Sequence, residues 1–258
     1  MFGSNLKRDY NSFVQHDEPD ESNGSAPEAP QERRRRLRAV RRLWRAETAY
    51  LTALAVFAVL AFLARFNAYF GWDLRAARAV QSIDLPGFAA LMRFVSFWGS
   101  GITPWIITSA VALAFLARRR RSEAAGVILS AGVGQLVNRL IKLLIARPRP
   151  ASDLVNVYEV VSSESFPSGH VAFYVGFFGF LFFVAFALLP RNSWQRRAAL
   201  TITALPVALV GLSRVYLGAH WPSDTLGAYL VNGLWLAFCL TVYRRWKARG
   251  RMQASGAA

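Results

Sequence analysis

Cysteine is nearly missing from this chain. Cys239 is the only one in 258 residues, so no intrachain disulfide can form, and its place in an apolar run marks it as a small packing residue. Charge is scarce as well. Only 18% of residues are charged while 54% are hydrophobic, a balance that excludes an ordinary soluble domain and places the chain in a bilayer. Acidic residues are the rarer sign, 15 against 31 Lys and Arg, for a net charge of +16. That surplus does not point to nucleic acid, because the basic residues fall in short blocks between apolar stretches, with no basic surface interleaved with exposed aromatics. No signal peptide is expected either. The first long apolar run begins near Thr48, behind the basic block Arg33 to Arg45, and should be retained as an anchor.

The fold class these features predict is all-α, a polytopic membrane protein built as a bundle of six transmembrane helices. Residues 1–45 read as a disordered polar tail ending in a basic cytoplasmic segment, since Asp17 to Gln31 is rich in Asp, Glu, Pro, Ser, Gly and Asn and holds too little apolar surface to offset ordering entropy. Residues 46–245 form the transmembrane domain, and 246–258 a cytoplasmic C-terminal tail. The spans are predicted at about Ala49 to Arg65, Ile102 to Ala117 with an amphipathic approach from Leu85, and Ala124 to Ala146. The other three lie at Val171 to Leu189, Ala198 to Leu212 and Thr225 to Tyr243, each near the length that crosses the hydrocarbon. Phe88 to Trp98 is a candidate separate interfacial piece, because Gly99, Ser100 and Gly101 invite a break. The Phe-rich stretch from Phe173 to Phe186 reads as lipid-facing or packing surface.

Orientation follows from charge bias. Arg33 to Arg45, Arg118 to Arg121, the trio Arg191, Arg196 and Arg197, and the tail Arg244 to Arg251 fall on one side of a six-span bundle and mark it as cytoplasmic. Both termini are then cytoplasmic, and the loops Arg147 to His170 and Arg214 to Asp224 face the exterior of the plasma membrane.

Three clusters occupy those outer helix ends. One pairs Lys142 with Arg149 and Pro150; the next is Pro167, Ser168, Gly169 and His170; the last holds Ser213, Arg214, His220 and Asp224. Together they suit a phosphoryl group, whose oxygens spread negative charge in the transition state and are stabilised by positioned cations and donors. Lys142, Arg149 and Arg214 supply the charge, and Ser168 a hydroxyl. Gly169 allows close backbone approach at a helix N-terminus that favours an anion. Asp224, four residues after His220 in a first helical turn that tolerates Pro222, can orient the imidazole and balance the charge it gains as a nucleophile. His170 titrates in the range needed to protonate a leaving group and then activate water. The scheme requires no metal or other cofactor.

These residues resemble the type-2 phosphatidic acid phosphatase superfamily, whose motifs Lys-x6-Arg-Pro, Pro-Ser-Gly-His and Ser-Arg-x5-His-x3-Asp occur here intact and in order. The resemblance implies that His220 is a phosphohistidine nucleophile, Asp224 its partner and His170 the acid, with Lys142, Arg149, Ser168, Gly169 and Arg214 binding phosphate. It implies a membrane lipid phosphate as substrate, with undecaprenyl diphosphate favoured and phosphatidylglycerophosphate, phosphatidate and lipid A phosphates served by similar motifs. Phosphotransfer to an acceptor lipid stays open, as does oligomeric state. A non-enzymatic transporter or scaffold that binds anionic headgroups is the competing class, and it leaves the His220 and Asp224 pairing unexplained. Arg139 and Arg147 match no motif position and read as headgroup contacts.

Overall fold

The computed structural model describes residues 30–158 and 161–255, and every regular element among them is helical. The expected disordered tail over residues 1–29 lies outside the described residues. The chain divides into two units, Met1–Thr48 and Ala49–Ala258. In the first, helix α1 (Pro30–Phe66) begins at a proline, which a first helical turn accommodates because its N–H would be unpaired anyway. The basic segment before Thr48, expected to belong to the tail, is therefore helical.

In the second unit α1 continues to Phe66, and its Trp44–Phe66 portion is apolar enough to cross a membrane. The linker that follows holds two short helices, α2 (Gly71–Gln81) and α3 (Phe88–Phe97), then α4 (Thr103–Ala117). Next come α5 (Arg121–Val127), a π-helical turn (Ile128–Val133) and α6 (Gly134–Ile145) in one continuous run, followed by α7 (Gly169–Leu188), α8 (Trp194–Tyr216) and α9 (Pro222–Ser255). The interfacial piece read at Phe88 to Trp98 is thus a helix of its own. α9 extends through the residues expected to form the start of a C-terminal tail.

Among the described residues five helices have the length and hydropathy of membrane spans: Trp44–Phe66, Arg121–Ile145, Gly169–Leu188, Trp194–Tyr216 and Pro222–Arg249. The expected second span differs. α4 has 15 residues, which at 1.5 Å per residue gives roughly 22 Å, short of a hydrocarbon core of about 30 Å. The residues flanking α4 nevertheless lie near opposite ends of α7. It starts beyond Ser100, which bonds His170 at the head of α7, and ends just before Arg119 to Arg121, which share a recess with Leu188 at the foot of α7.

α7 is the spine of this unit. Phe173, Tyr174, Phe177 and Phe180 are buried, whereas Phe182 and Phe186 are exposed, so the Phe-rich stretch serves mainly as packing surface. Close helix approach is set by Gly176, where a Cβ would stand 2.4 Å from the carbonyl oxygen of Ser130 in the π turn. Small residues at such crossings let backbones touch where no hydrophobic driving force separates lipid from protein. Leu144, Ile102 and Phe62 are among many large apolar side chains left exposed, as expected of surfaces solvated by acyl chains. With these crossings fixed, the ends of α6 and α8 and the starts of α7 and α9 meet at one pole.

Candidate active site

A cavity of about 660 Å³ opens at that pole, lined by Lys142, Arg149, Gly169, His170, Arg214 and His220 together with Gly99, Ser100 and Trp105 from the α3–α4 turn and the head of α4. The three sequence clusters therefore converge. Ser168 and Asp224, the remaining expected residues, are fully buried immediately behind the wall.

His220 sits in the short turn between α8 and α9. Gly218, at φ +67°, gives that turn its left-handed residue, and a Cβ there would stand 2.0 Å from the Asn156 carbonyl oxygen, so only glycine lets the loop pass. The imidazole is 2% exposed. Its Nδ1 lies 3.6 Å from Asp224 Oδ2, within ion-pair reach and beyond a direct hydrogen bond. The Ser165 hydroxyl stands between, 3.5 Å from Nδ1 and donating to Asp224 Oδ2. Asp224 Oδ2 also accepts from the Trp221 amide at 2.8 Å, an interaction made possible by α9 starting at Pro222. The other nitrogen, Nε2, faces Arg149 Nη1 at 3.2 Å. Burial first, then the positive charges of Arg149, Lys142 and Arg214, hold the proton affinity of His220 well below its ordinary value near 6.5. A neutral ring with a lone pair on Nε2 follows.

The cationic groups are fixed by backbone carbonyl and serine hydroxyl acceptors. Arg149 Nε donates to Ser163 O at 2.7 Å and its Nη1 to Ala219 O at 2.5 Å. Lys142 Nζ, near the end of α6, donates to the carbonyls of Glu164 and Ser165. Arg214, in the last turn of α8, donates to the Ser96 hydroxyl on α3, and its neighbour Ser213 binds Met92 O at 2.6 Å. Ser168 caps α7 in extended conformation, and its hydroxyl makes no hydrogen bond among the described residues. A Cβ on Gly169 would meet nothing closer than 3.9 Å. Packing does not demand glycine there. His170 Nε2 bonds Ser100 Oγ at 3.0 Å, and its ring packs against Gly99, where a Cβ would stand 2.5 Å from Cδ2.

Arg147 overturns its expected place among the lipid headgroups. It is 1% exposed and donates to Asp224 Oδ1 at 2.6 Å, Ser223 Oγ at 2.7 Å and Asp73 Oδ2 at 3.0 Å, because the loop after α6 turns inward at Ala146, whose φ is +50°. Arg139 is exposed and lines the cavity mouth. Asp73, Ser100 and Ser165 went unread in the sequence. The one signal for Asp73 was an acid, one of two with Asp84, in the linker after the first span; the two serines offered none. Among the described residues no group of three or more His, Cys, Asp or Glu is placed to hold a metal ion.

The sequence profile of the PAP2 superfamily matches residues 123–248, which takes in every motif residue above. A decaprenylphosphoryl-5-phosphoribose phosphatase of Mycobacterium tuberculosis is 34% identical over 57% of this chain and 76% of its own. Phosphatidylglycerophosphatase B of Bacillus subtilis is 30% identical over 67% and 83%, and an undecaprenyl-diphosphatase of Sulfolobus acidocaldarius 25% identical over 65% and 76%. Among solved structures, a transmembrane PAP2-type phosphatidylglycerolphosphate phosphatase from Bacillus subtilis superposes with a TM-score of 0.64 at 25% identity, over 76% of this chain and 96% of that one.

Proposed function

Since this chain belongs to the PAP2 superfamily of membrane lipid phosphatases, we propose that it hydrolyses a lipid phosphate through a phosphohistidine at His220. The observation that carries this reading is that His220 Nε2 and His170 face one cavity among three fixed cations, Lys142, Arg149 and Arg214. The Nε2 lone pair attacks phosphorus as the bond to the leaving oxygen breaks. His170, protonated once the anionic phosphate offsets the surrounding cations, gives that oxygen its proton, and Asp224 and Ser165 stabilise the charge growing on Nδ1. Lys142, Arg149, Arg214, Ser168 and the Gly169 amide hold the three spectator oxygens. In the second step His170, now neutral, takes a proton from water, the hydroxide attacks phosphorus, and the N–P electron pair returns to the imidazole, releasing inorganic phosphate.

The substrate we favour is undecaprenyl diphosphate, cleaved to undecaprenyl phosphate. Support comes from the polyprenyl substrates in the names of two relatives. The chain is placed in the plasma membrane with six crossings, α4 supplying the short one, with both termini cytoplasmic and the cavity at the exterior face, as the Arg119 to Arg121 cluster at the opposite pole supports. The test is phosphate release by the purified protein in detergent over a panel holding undecaprenyl diphosphate, phosphatidylglycerophosphate, phosphatidate and lipid A. The highest kcat/KM is expected for undecaprenyl diphosphate, and a higher value for a glycerophospholipid would overturn that choice.

A further inference from the structure

Behind the cavity lies a buried charged cluster that none of the sequence motifs includes in full. Asp73 on α2, Arg147 on the loop after α6, and Ser223 and Asp224 on α9 are each buried, with Asp73 and Asp224 at 0% exposure. Arg147 is the bridge. Its Nη2 donates to Asp73 Oδ2 at 3.0 Å and its Nη1 to Asp224 Oδ1 at 2.6 Å, while Nε donates to Asn67 O at 3.1 Å. Asp73 in turn accepts from the Ser223 amide at 2.8 Å, the Ser223 hydroxyl at 2.7 Å and the Phe70 amide at 3.1 Å. Such an arrangement is costly to bury and is a weak source of stability compared with an apolar substitute. Its position suggests another use, since the cluster converges on the carboxylate that faces the reacting histidine and on the residue next to it.

We propose that Asp73 and Arg147 are positioning residues that fix the Asp224 carboxylate and set how much negative charge it presents to His220. This rests on His220 being the nucleophile. Two carboxylates and one guanidinium leave one net negative charge buried beside a neutral ring. When Nε2 takes the phosphoryl group, Nδ1 becomes cationic and the buried cluster, ring included, becomes neutral. The cluster is thus matched to the intermediate and not to the free site, which is the differential interaction that accelerates a step. Asp73 is needed because Arg147 alone would neutralise Asp224 and leave nothing to balance the imidazolium. Arg147 is needed because two bare carboxylates would hold a proton on the ring and quench the nucleophile.

The other charged and titratable groups around His220 are Arg149 after α6, Lys142 on α6, Arg214 on α8 and His170 on α7, and none of them is altered in the test. The purified full chain would be assayed in detergent for the pH dependence of kcat/KM with one lipid phosphate, whose own ionisation is common to every arm. Arg147→Gln should raise the acidic limb, by on the order of one pH unit for loss of a unit charge that acts across the one intervening carboxylate at an effective dielectric near 20. Asp73→Asn should lower that limb and cut kcat about 10-fold with KM within about twofold, as for interactions made only in the transition state. The double variant restores the net charge and should return the limb to its original place. Arg147→Lys, which keeps the charge and loses the fork, should leave the limb unmoved while lowering kcat.

A scaffold role would lower activity in every variant without opposite displacements, and limbs fixed in both Arg147→Gln and Asp73→Asn overturn the proposal. Should Arg147→Gln fail to fold, the comparison of Asp73→Asn with Arg147→Lys decides equally, since only the first should move the limb. His220→Ala is assayed in parallel. Turnover surviving in that variant rejects the nucleophile itself, whereas its loss together with unmoved limbs rejects the positioning role alone.

Discussion

Replacing Gly99 with alanine should disable proton donation while leaving phosphate capture intact. The added Cβ would stand 2.5 Å from His170 Cδ2, 2.9 Å from Cγ and 3.1 Å from Tyr174 Cε2. Ordinary contact begins near 3.4 Å, so the imidazole must retreat by about 1 Å to reach a normal carbon separation. The ring is not free to shift, because Ser100 holds Nε2 at 3.0 Å, and the same Cβ presses on the buried Tyr174, which is tied to the Val95 carbonyl. Misplacing a reacting group by about 1 Å costs on the order of 10²-fold, about 2.7 kcal/mol of barrier. The loss should depend on the leaving group. kcat/KM reports the first irreversible step, so an alkyl phosphate, whose alkoxide needs a proton, should lose about 100-fold, whereas an aryl phosphate releasing p-nitrophenolate should lose less than about tenfold. Equal losses for the two substrates, or none, would refute the assignment of His170 as the acid, provided thermal unfolding in detergent shows the variant folded.

Three other perturbations probe the same geometry. The proton affinity of His220 is depressed in the folded chain, so below about pH 6.5 the unfolded state binds the extra proton and the folded state does not, and stability falls as pH falls; the thermal midpoint should decline less steeply in His220→Gln than in the parent. Gly176→Val would drive a side chain into the Ser130 carbonyl at the α7 crossing and should destabilise by about 1–3 kcal/mol, read as a lower unfolding temperature. Turnover should persist in excess chelator, because Lys142, Arg149 and Arg214 already line the cavity with positive charge; loss restored by added magnesium would contradict this.

The residues that were legible in the sequence are those whose partners lie close along the chain. His220 and Asp224 share a helical turn, and Ser168 to His170 open a long apolar helix, so spacing alone placed them. The five long spans were legible for a similar reason, since an apolar run of 20 or so residues has few alternatives. Arg147 was misread because its partner Asp73 lies 74 residues away on α2, a helix of 11 residues, too short for periodicity to announce. Isolated arginines near helix ends usually do reach headgroups, and only the inward turn at Ala146 reverses that rule. α4 was expected as a full span because the amphipathic approach from Leu85 was read as leading into Ile102 to Ala117, whereas the structure makes that approach a separate helix, α3, and turns at Gly99 to Ile102 against His170.

Covalent catalysis at His220 is best probed by a rapid alkaline quench of the enzyme during turnover, followed by mass spectrometry of the peptide holding that histidine. Phosphohistidine survives base and is lost in acid, so an acid-labile phosphoryl group is expected on His220 and absent from His220→Ala, which should release no phosphate. Phosphate release at the parental rate by His220→Ala would contradict it.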